Sequence, residues 1–265
     1  MTVPTRTADL NRSKAAAYQL TKRYGFLHPA KLKLEDIAWD RGVIVSDGKL
    51  DGSEARLIRK GKHGVIRIRA DEREVGRRRY SIAHELGHWE LHKESQWLAC
   101  STEDLRDYRT SPLEVEANTF AAELLMPTCH VRERCEKSAP TLELVKSIAD
   151  EFQVSLTAAG IRMLHLTKQE CILVASRARR VSWWIPKCDR FGVWLRKGME
   201  LSPQSLAWHA FDGSVDQAEV EEVPVDAWFP DRPTSVEFGV SEQSMFLRTY
   251  GTVLTLLSIG DSEDD

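Results

Sequence analysis

Apolar and polar positions recur with two different periods along this chain, and the change of period divides it. Over residues 8–24 and 34–41 apolar residues return every three or four positions, which predicts two helices. The runs GVIVS, EARLIRK and GVIRIRA then read as short strands, with Gly61-Lys62-His63-Gly64 turning the last two into a hairpin. After Asp71, YSIAHELGHWELH spaces Ile82, Leu86 and Trp89 as one buried face of a helix. A second helix is expected at SPLEVEANTFAAELLMP, stopped by Pro127. Residues 141–166 give two helices broken around Gln153 to Ser155, with Ser155 suited to cap the second, a helix-turn-helix-like pair. Beyond Gln169 the pattern changes to the β-like runs CILVAS, RVSWWIP, GVWLRKG and SMFLRTYGTVLTLLSI.

The expectation is an α+β chain with a boundary near residue 168. Residues 1–168 would form a mostly helical domain with a small β-sheet. Residues 169–265 would form a smaller β-rich domain ending in a disordered acidic tail, 261–265. Five of the eight tryptophans, Trp183, Trp184, Trp194, Trp208 and Trp228, fall in that second region and are expected to fill its core, with a ligand or partner surface as the alternative.

At 265 residues, 42% hydrophobic and 29% charged, the composition is that of a folded protein of one or two domains. The net charge of −3 offers no global basic footprint for nucleic acid. Charge is nevertheless uneven: from Phe211 onward 13 acidic residues face 2 basic ones, while the remainder carries 27 acidic and 35 basic. No apolar run approaches the roughly 20 residues that span a bilayer. The opening MTVPTRTADLNRSK lacks the apolar centre of a signal peptide, so a cytoplasmic protein without membrane association is expected. Cys100, Cys129, Cys135, Cys171 and Cys188 are odd in number and form no C-x-x-C pair, which reads as reduced thiols. Cys129, His130 and Cys135 lie near one another without a fourth ligand at a usual spacing, and are not expected to bind metal.

Candidate chemistry is concentrated in His84-Glu85-Leu86-Gly87-His88, an H-E-x-x-H string on an expected helix. Residues four apart share a helix face, so both imidazoles can reach one tetrahedral Zn²⁺, with Glu85 beside the first to take a proton from water. Gly87 costs about 1 kcal/mol relative to alanine inside a helix, which makes sense where another group must approach closely. A catalytic zinc needs a third ligand. The metzincin position for it is Glu94, not histidine, and His92 has rotated past the shared face, so it reads as structural or as support for a ligand.

The remaining candidates are Glu114, Glu116 and Glu123. Glu114 shares a face with Ala117, Asn118, Ala121 and Leu125, whose small and apolar groups allow close helix packing. Asn118, one turn on, could accept a hydrogen bond from a ligating histidine. Against this, Ser111-Pro112-Leu113-Glu114 also has the form of a capping box, which would occupy the same carboxylate. Glu114 is favoured as ligand, with Glu116 in reserve.

The strings YSIAHELGHWELH, LEVEANTFAAELLMP and FQVSLTAAGIRMLHL, in that order and spacing, resemble the ImmA/IrrE family of metallopeptidases over roughly residues 15–166. The resemblance implies a zincin-like, gluzincin-type domain with His84, His88 and Glu114 as zinc ligands and Glu85 as general base. It also implies a substrate class, helix-turn-helix transcriptional repressors cleaved in stress or mobile-element responses. Oxyanion stabilisation would fall to Tyr80, His92, Tyr108 or Arg109. Two other classes compete. One is a DNA-binding regulator using the helical pair and the basic stretches 67–79 and 177–180; it is not favoured, because SLTAAGIRMLHL offers little beyond Arg162 for base edges. The other is a non-enzymatic partner with a structural zinc, which would have no need of Glu85.

Overall fold

A computed structural model describes residues 7–25, 28–50, 54–72, 74–93, 111–187, 194–213, 219–233 and 238–260. The protein is α+β: among the described residues eight α-helices accompany a three-stranded and a five-stranded sheet. Two compact units form, residues 1–130 with 149–155 and residues 131–148 with 156–265.

In the first unit, helices α1 (Leu10–Arg23) and α2 (Leu34–Asp40) precede strand β1 (Val43–Gly48). Gly42 joins α2 to β1 with φ of +80°, and the Lys62 carbonyl oxygen lies 2.7 Å from where a Cβ would sit, so a side chain has neither the torsion nor the room. Strands β2 (Ala55–Lys60) and β3 (His63–Arg69) form the expected hairpin. β1 adds to β3 in parallel, giving the order β1-β3-β2 with Val43 opposite Gly64. Along β3, Gly64, Ile66 and Ile68 are buried while His63 and Arg67 are exposed, the alternation of a sheet with one covered face.

Helix α3 (Val75–Leu91) covers that face. It starts earlier than the apolar pattern indicates because the Glu74 side chain caps it, accepting from the backbone N–H of Gly76 at 3.0 Å and Arg77 at 3.1 Å. Trp89 locks it to the sheet. The Arg59 guanidinium lies 3.7 Å from its ring centre, its Nε1 donates to the Arg41 carbonyl at 3.1 Å, and Gly64 leaves room for the ring. Helix α4 (Pro112–Leu125) packs along α3. The close approach is made at Gly87, where an added Cβ would stand 3.1 Å from both the Ala117 Cα and the Phe120 ring.

Helix α5 (Thr128–Lys137) was not anticipated by the pattern; its buried stripe is only Val131 and Cys135. Helices α6 (Leu142–Phe152) and α7 (Leu156–Leu166) are the expected pair, turning at Gln153 with φ of 52°. In the second unit α7 lies on strand β4 (Cys171–Arg177), where Gly160 lets the Leu173 side chain come within 2.9 Å of the missing Cβ. Arg162, the cation the sequence offers to base edges, is 5% exposed and so removed from that role.

Strands β4, β5 (Arg180–Pro186), β6 (Glu221–Glu222), β7 (Gly239–Leu247) and β8 (Thr252–Gly260) form an antiparallel sheet in the order β5-β4-β8-β7-β6. β4 is buried from Cys171 to Ser176, which is why its run is continuously apolar. One core centres on Trp228, Phe229, Val174 and Val253, with Trp184, Trp194 and Trp208 partly buried against it. Trp208 sits on the short helix α8 (Leu206–Ala210). SMFLRTYGTVLTLLSI is two strands separated by a turn at Arg248–Tyr250. GVWLRKG is no strand among the described residues: Trp194 lies in a turn, stacked on Phe238 at 6.0 Å, and Gly198 turns with φ of +84°. No described helix is long and apolar enough to cross a membrane.

Candidate metal centre

Helices α3 and α4 bring three donor groups together. His84 Nε2 and His88 Nε2 are 3.1 Å apart, Glu114 Oε2 lies 3.1 Å from His84 Nε2, and Glu114 Oε1 lies 3.0 Å from His88 Nε2. Among the described residues this is the one trio of histidine, cysteine or carboxylate groups close enough to share an ion. An ion held at about 2.0–2.2 Å by tetrahedral ligands separates them by about 3.3–3.5 Å. The observed spacings need only a few tenths of an ångström of opening.

Glu114 resolves the competition over its carboxylate in an instructive way. Ser111 Oγ accepts the Glu114 backbone N–H at 3.3 Å, so half of the capping box is present. The Glu114 side chain, however, faces the two imidazoles. Pro112 at the first helical position helps start α4 without needing the returning carboxylate.

Proton positions follow from what lies behind each ring. His84 Nδ1 is 3.0 Å from Asn118 Oδ1, which also accepts the Tyr80 hydroxyl at 2.9 Å. Asn118 Oδ1 is an acceptor, so the neutral His84 carries its proton on Nδ1 and presents a lone pair at Nε2. Burial holds His88 down at about 4, against the Glu114 carboxylate. Burial opposes ionisation of Glu114, but in the metal-free protein the hydrogen bonds it accepts whenever the imidazoles carry a proton on Nε2 outweigh this and hold the carboxyl at about 2; an ion takes the place of those protons. A neutral imidazole beside an ionised carboxylate is what a divalent cation requires.

Glu85 stands on the buried side of α3, 8% exposed. Burial pushes its carboxyl up to about 7, His84 when protonated in the metal-free protein and a hydrogen bond from the Leu57 backbone pull it down, and Glu114 pushes it further up. A carboxyl balanced near neutrality suits both acceptance and return of a proton.

Glu116, the reserve ligand, is not in the cluster. It is fully buried, with Oε2 2.9 Å from His92 Nε2 and Oε1 accepting the Asp9 backbone N–H at 2.9 Å. His92 lies behind His88, ring nitrogen to ring nitrogen at 2.9 Å, and both its ring nitrogens are engaged, one by His88 and the other by Glu116. Glu123 accepts from Thr128 instead. The Tyr80 hydroxyl is engaged by Asn118; Tyr108 and Arg109 lie outside the described residues. Sequence reasoning did not pair His92 with Glu116. The available signal was the four-residue spacing of His88 and His92, together with a carboxylate two residues after Glu114.

The family model described as the IrrE N-terminal-like domain, Peptidase_M78, matches residues 42–164, which span the hairpin, α3, α4 and the helical pair. No curated protein matches the chain by sequence. Among solved structures, a Mycobacterium tuberculosis transcriptional regulator matches 93% of this chain and 76% of its own, with a TM-score of 0.60 and 15% identity, a likeness of fold.

Proposed function

Residues 42–164 belong to the ImmA/IrrE metallopeptidase family, and from that premise we propose that this protein is a zinc-dependent endopeptidase that cleaves a helix-turn-helix transcriptional repressor. The observation that carries the enzymatic part is the convergence of His84, His88 and Glu114 with a buried Glu85 on the same helix. In this reading His84, His88 and Glu114 hold the ion, and Asn118 orients His84 through Nδ1. Two imidazoles and a carboxylate are a donor set that suits zinc. When bound, the ion supplies positive charge that acidifies water and polarises a peptide carbonyl. Glu85 is the general base: it takes the water proton and hands it to the departing amine. The apolar flank of Ile82, Ala83 and Leu86, all buried, limits water around that carboxyl.

The repressor substrate is supported by family membership, and a regulatory role accords with the name of the Mycobacterium tuberculosis neighbour. A repressor bound to chromosomal DNA would put the protein in the cytoplasm, without requiring that it touch DNA itself. We also propose that the peptidase domain ends near residue 168, which the end of the family match at residue 164 supports. The test is mass spectrometry of new protein N-termini in cells expressing wild type or Glu85→Gln. Fragments of a helix-turn-helix protein, present with wild type and absent with Glu85→Gln, are expected. Identical fragment sets from both would refute the reading.

A further inference from the structure

We propose that His92 and Glu116 are positioning residues for the metal centre, acting together to keep the proton of His88 on Nδ1 and its Nε2 lone pair turned to the ion. The inference rests on the ligand assignment above and adds two residues outside it.

An ion on His88 Nε2 leaves that ring's proton on Nδ1, which faces His92 Nδ1 at 2.9 Å, and on the far side of His92 its Nε2 faces Glu116 Oε2 at 2.9 Å. A neutral His92 with its proton on Nε2 has a lone pair on Nδ1. That nitrogen lies 2.9 Å from His88 Nδ1, and a contact between two ring nitrogens needs one proton. It therefore belongs to His88, whose Nε2 is left bare on the side of His84 Nε2 and Glu114.

The backbone makes this possible at the end of α3. The His92 N–H still bonds to the His88 carbonyl at 3.0 Å, but φ and ψ of −117° and 54° have left the helix, and the ring lies against that of His88 at 5.0 Å between centres. On α4, Glu114 and Glu116 stand two positions apart, about 200° around the axis. One meets the Nε2 side of His88 directly, and the other reaches the Nδ1 side through His92. His84 obtains the same orientation in one step, from Asn118.

Glu116 cannot be exchanged for its amide without consequence. Both oxygens accept, one from Asp9 N–H and one from His92, so Glu116→Gln sets an N–H against one of two donors. If the conflict falls on His92, its proton moves to Nδ1 and confronts His88 Nδ1–H. The relay then favours a proton on His88 Nε2, where the ion should bind.

The test is zinc affinity of the full chain, by competition with a chromophoric chelator, for wild type, Glu116→Gln, His92→Phe and His92→Asn. Long-range ¹H–¹⁵N spectra of the histidine rings in zinc-loaded wild type go beside it. Loss of a ligand's outer support costs about 10- to 100-fold in metal affinity, and that loss is expected for Glu116→Gln and His92→Phe. His92→Asn, whose side-chain oxygen falls near the position of Nδ1, should recover most of it, which a merely structural role would not produce. The spectra should show His92 protonated on Nε2. Wild-type affinity in both Glu116→Gln and His92→Phe, or a His92 proton on Nδ1, overturns this inference while leaving the ligand assignment intact. A wild type that takes up no zinc overturns both.

Discussion

Replacing Gly87 with alanine tests how closely the two helices that carry the proposed metal ligands are coupled. An alanine in the middle of α3 gains about 1 kcal/mol of helix propensity. Its methyl group would stand 3.1 Å from the Ala117 Cα, 3.1 Å from the Phe120 ring and 3.2 Å from the Ala117 carbonyl oxygen. Two of those three atoms are backbone, which yields only if α4 moves as a body. Overpacking of this kind costs about 1–3 kcal/mol, so the net change is a destabilisation of about 0–2 kcal/mol. The larger effect is on the metal, because α4 carries Glu114, whose two oxygens sit 3.0 and 3.1 Å from the imidazoles. A shift of a few tenths of an ångström there would weaken the proposed third ligand while leaving His84 and His88 on their own helix. Urea unfolding of the metal-free protein and zinc affinity of the folded protein separate the two effects. A variant that is about 1 kcal/mol more stable, with unchanged zinc affinity, would refute the claim that Gly87 exists for helix contact.

Three further outcomes follow from named contacts. In the metal-free protein the Glu85 carboxyl is pushed to about 7 by burial, so the fold favours its protonated form. Relative to about 4.3 in the unfolded chain, stability is fully present below about pH 4 and is lost as pH rises through 7, about 3–4 kcal/mol in all. Glu85→Gln should therefore gain on wild type over that range in urea titrations of metal-free protein at pH 5 and pH 8; a pH-independent difference would contradict the burial argument. In the second unit, Trp228 is fully buried and its Nε1 donates to the buried Glu242 at 2.7 Å. Trp228→Phe should cost about 1–3 kcal/mol by leaving a carboxylate short of a donor, measured as a lowered urea midpoint. The hairpin between β4 and β5 turns through Ala178 and Arg179 at φ of 46° and 57°, a geometry that suits asparagine and glycine. Ala178→Gly should raise stability by about 0.5–1 kcal/mol, and a lowered midpoint would show that the turn is held by something other than its torsions.

Much of residues 42–164 is legible in the sequence because the signals there are local. His84 and His88 are related by one helical turn, and the small residues after Glu114 mark a helix that packs closely against another. The hairpin at Gly61 to Gly64 and the α6–α7 pair are written in turn residues and periodicity. What escaped is long-range or weakly patterned. The His92–Glu116 contact joins the end of α3 to the middle of α4 across 24 positions, and no local period announces it. α5 buries a stripe too narrow to show as periodicity. GVWLRKG has the apolar content of a strand, but among its described residues Trp194 stands in a turn with its ring beside Phe238, and Gly198 has a positive φ that an extended strand does not take.

In the proposed site α3 and α4 hold one catalytic ion through His84, His88 and Glu114. Metal content of the purified, folded chain, measured by atomic emission for wild type, His88→Ala and Glu114→Ala, tests it most directly. One zinc per wild-type chain and essentially none in either variant is expected. A folded wild type that remains metal-free in added zinc, or a Glu114→Ala protein that keeps a full equivalent, would contradict it.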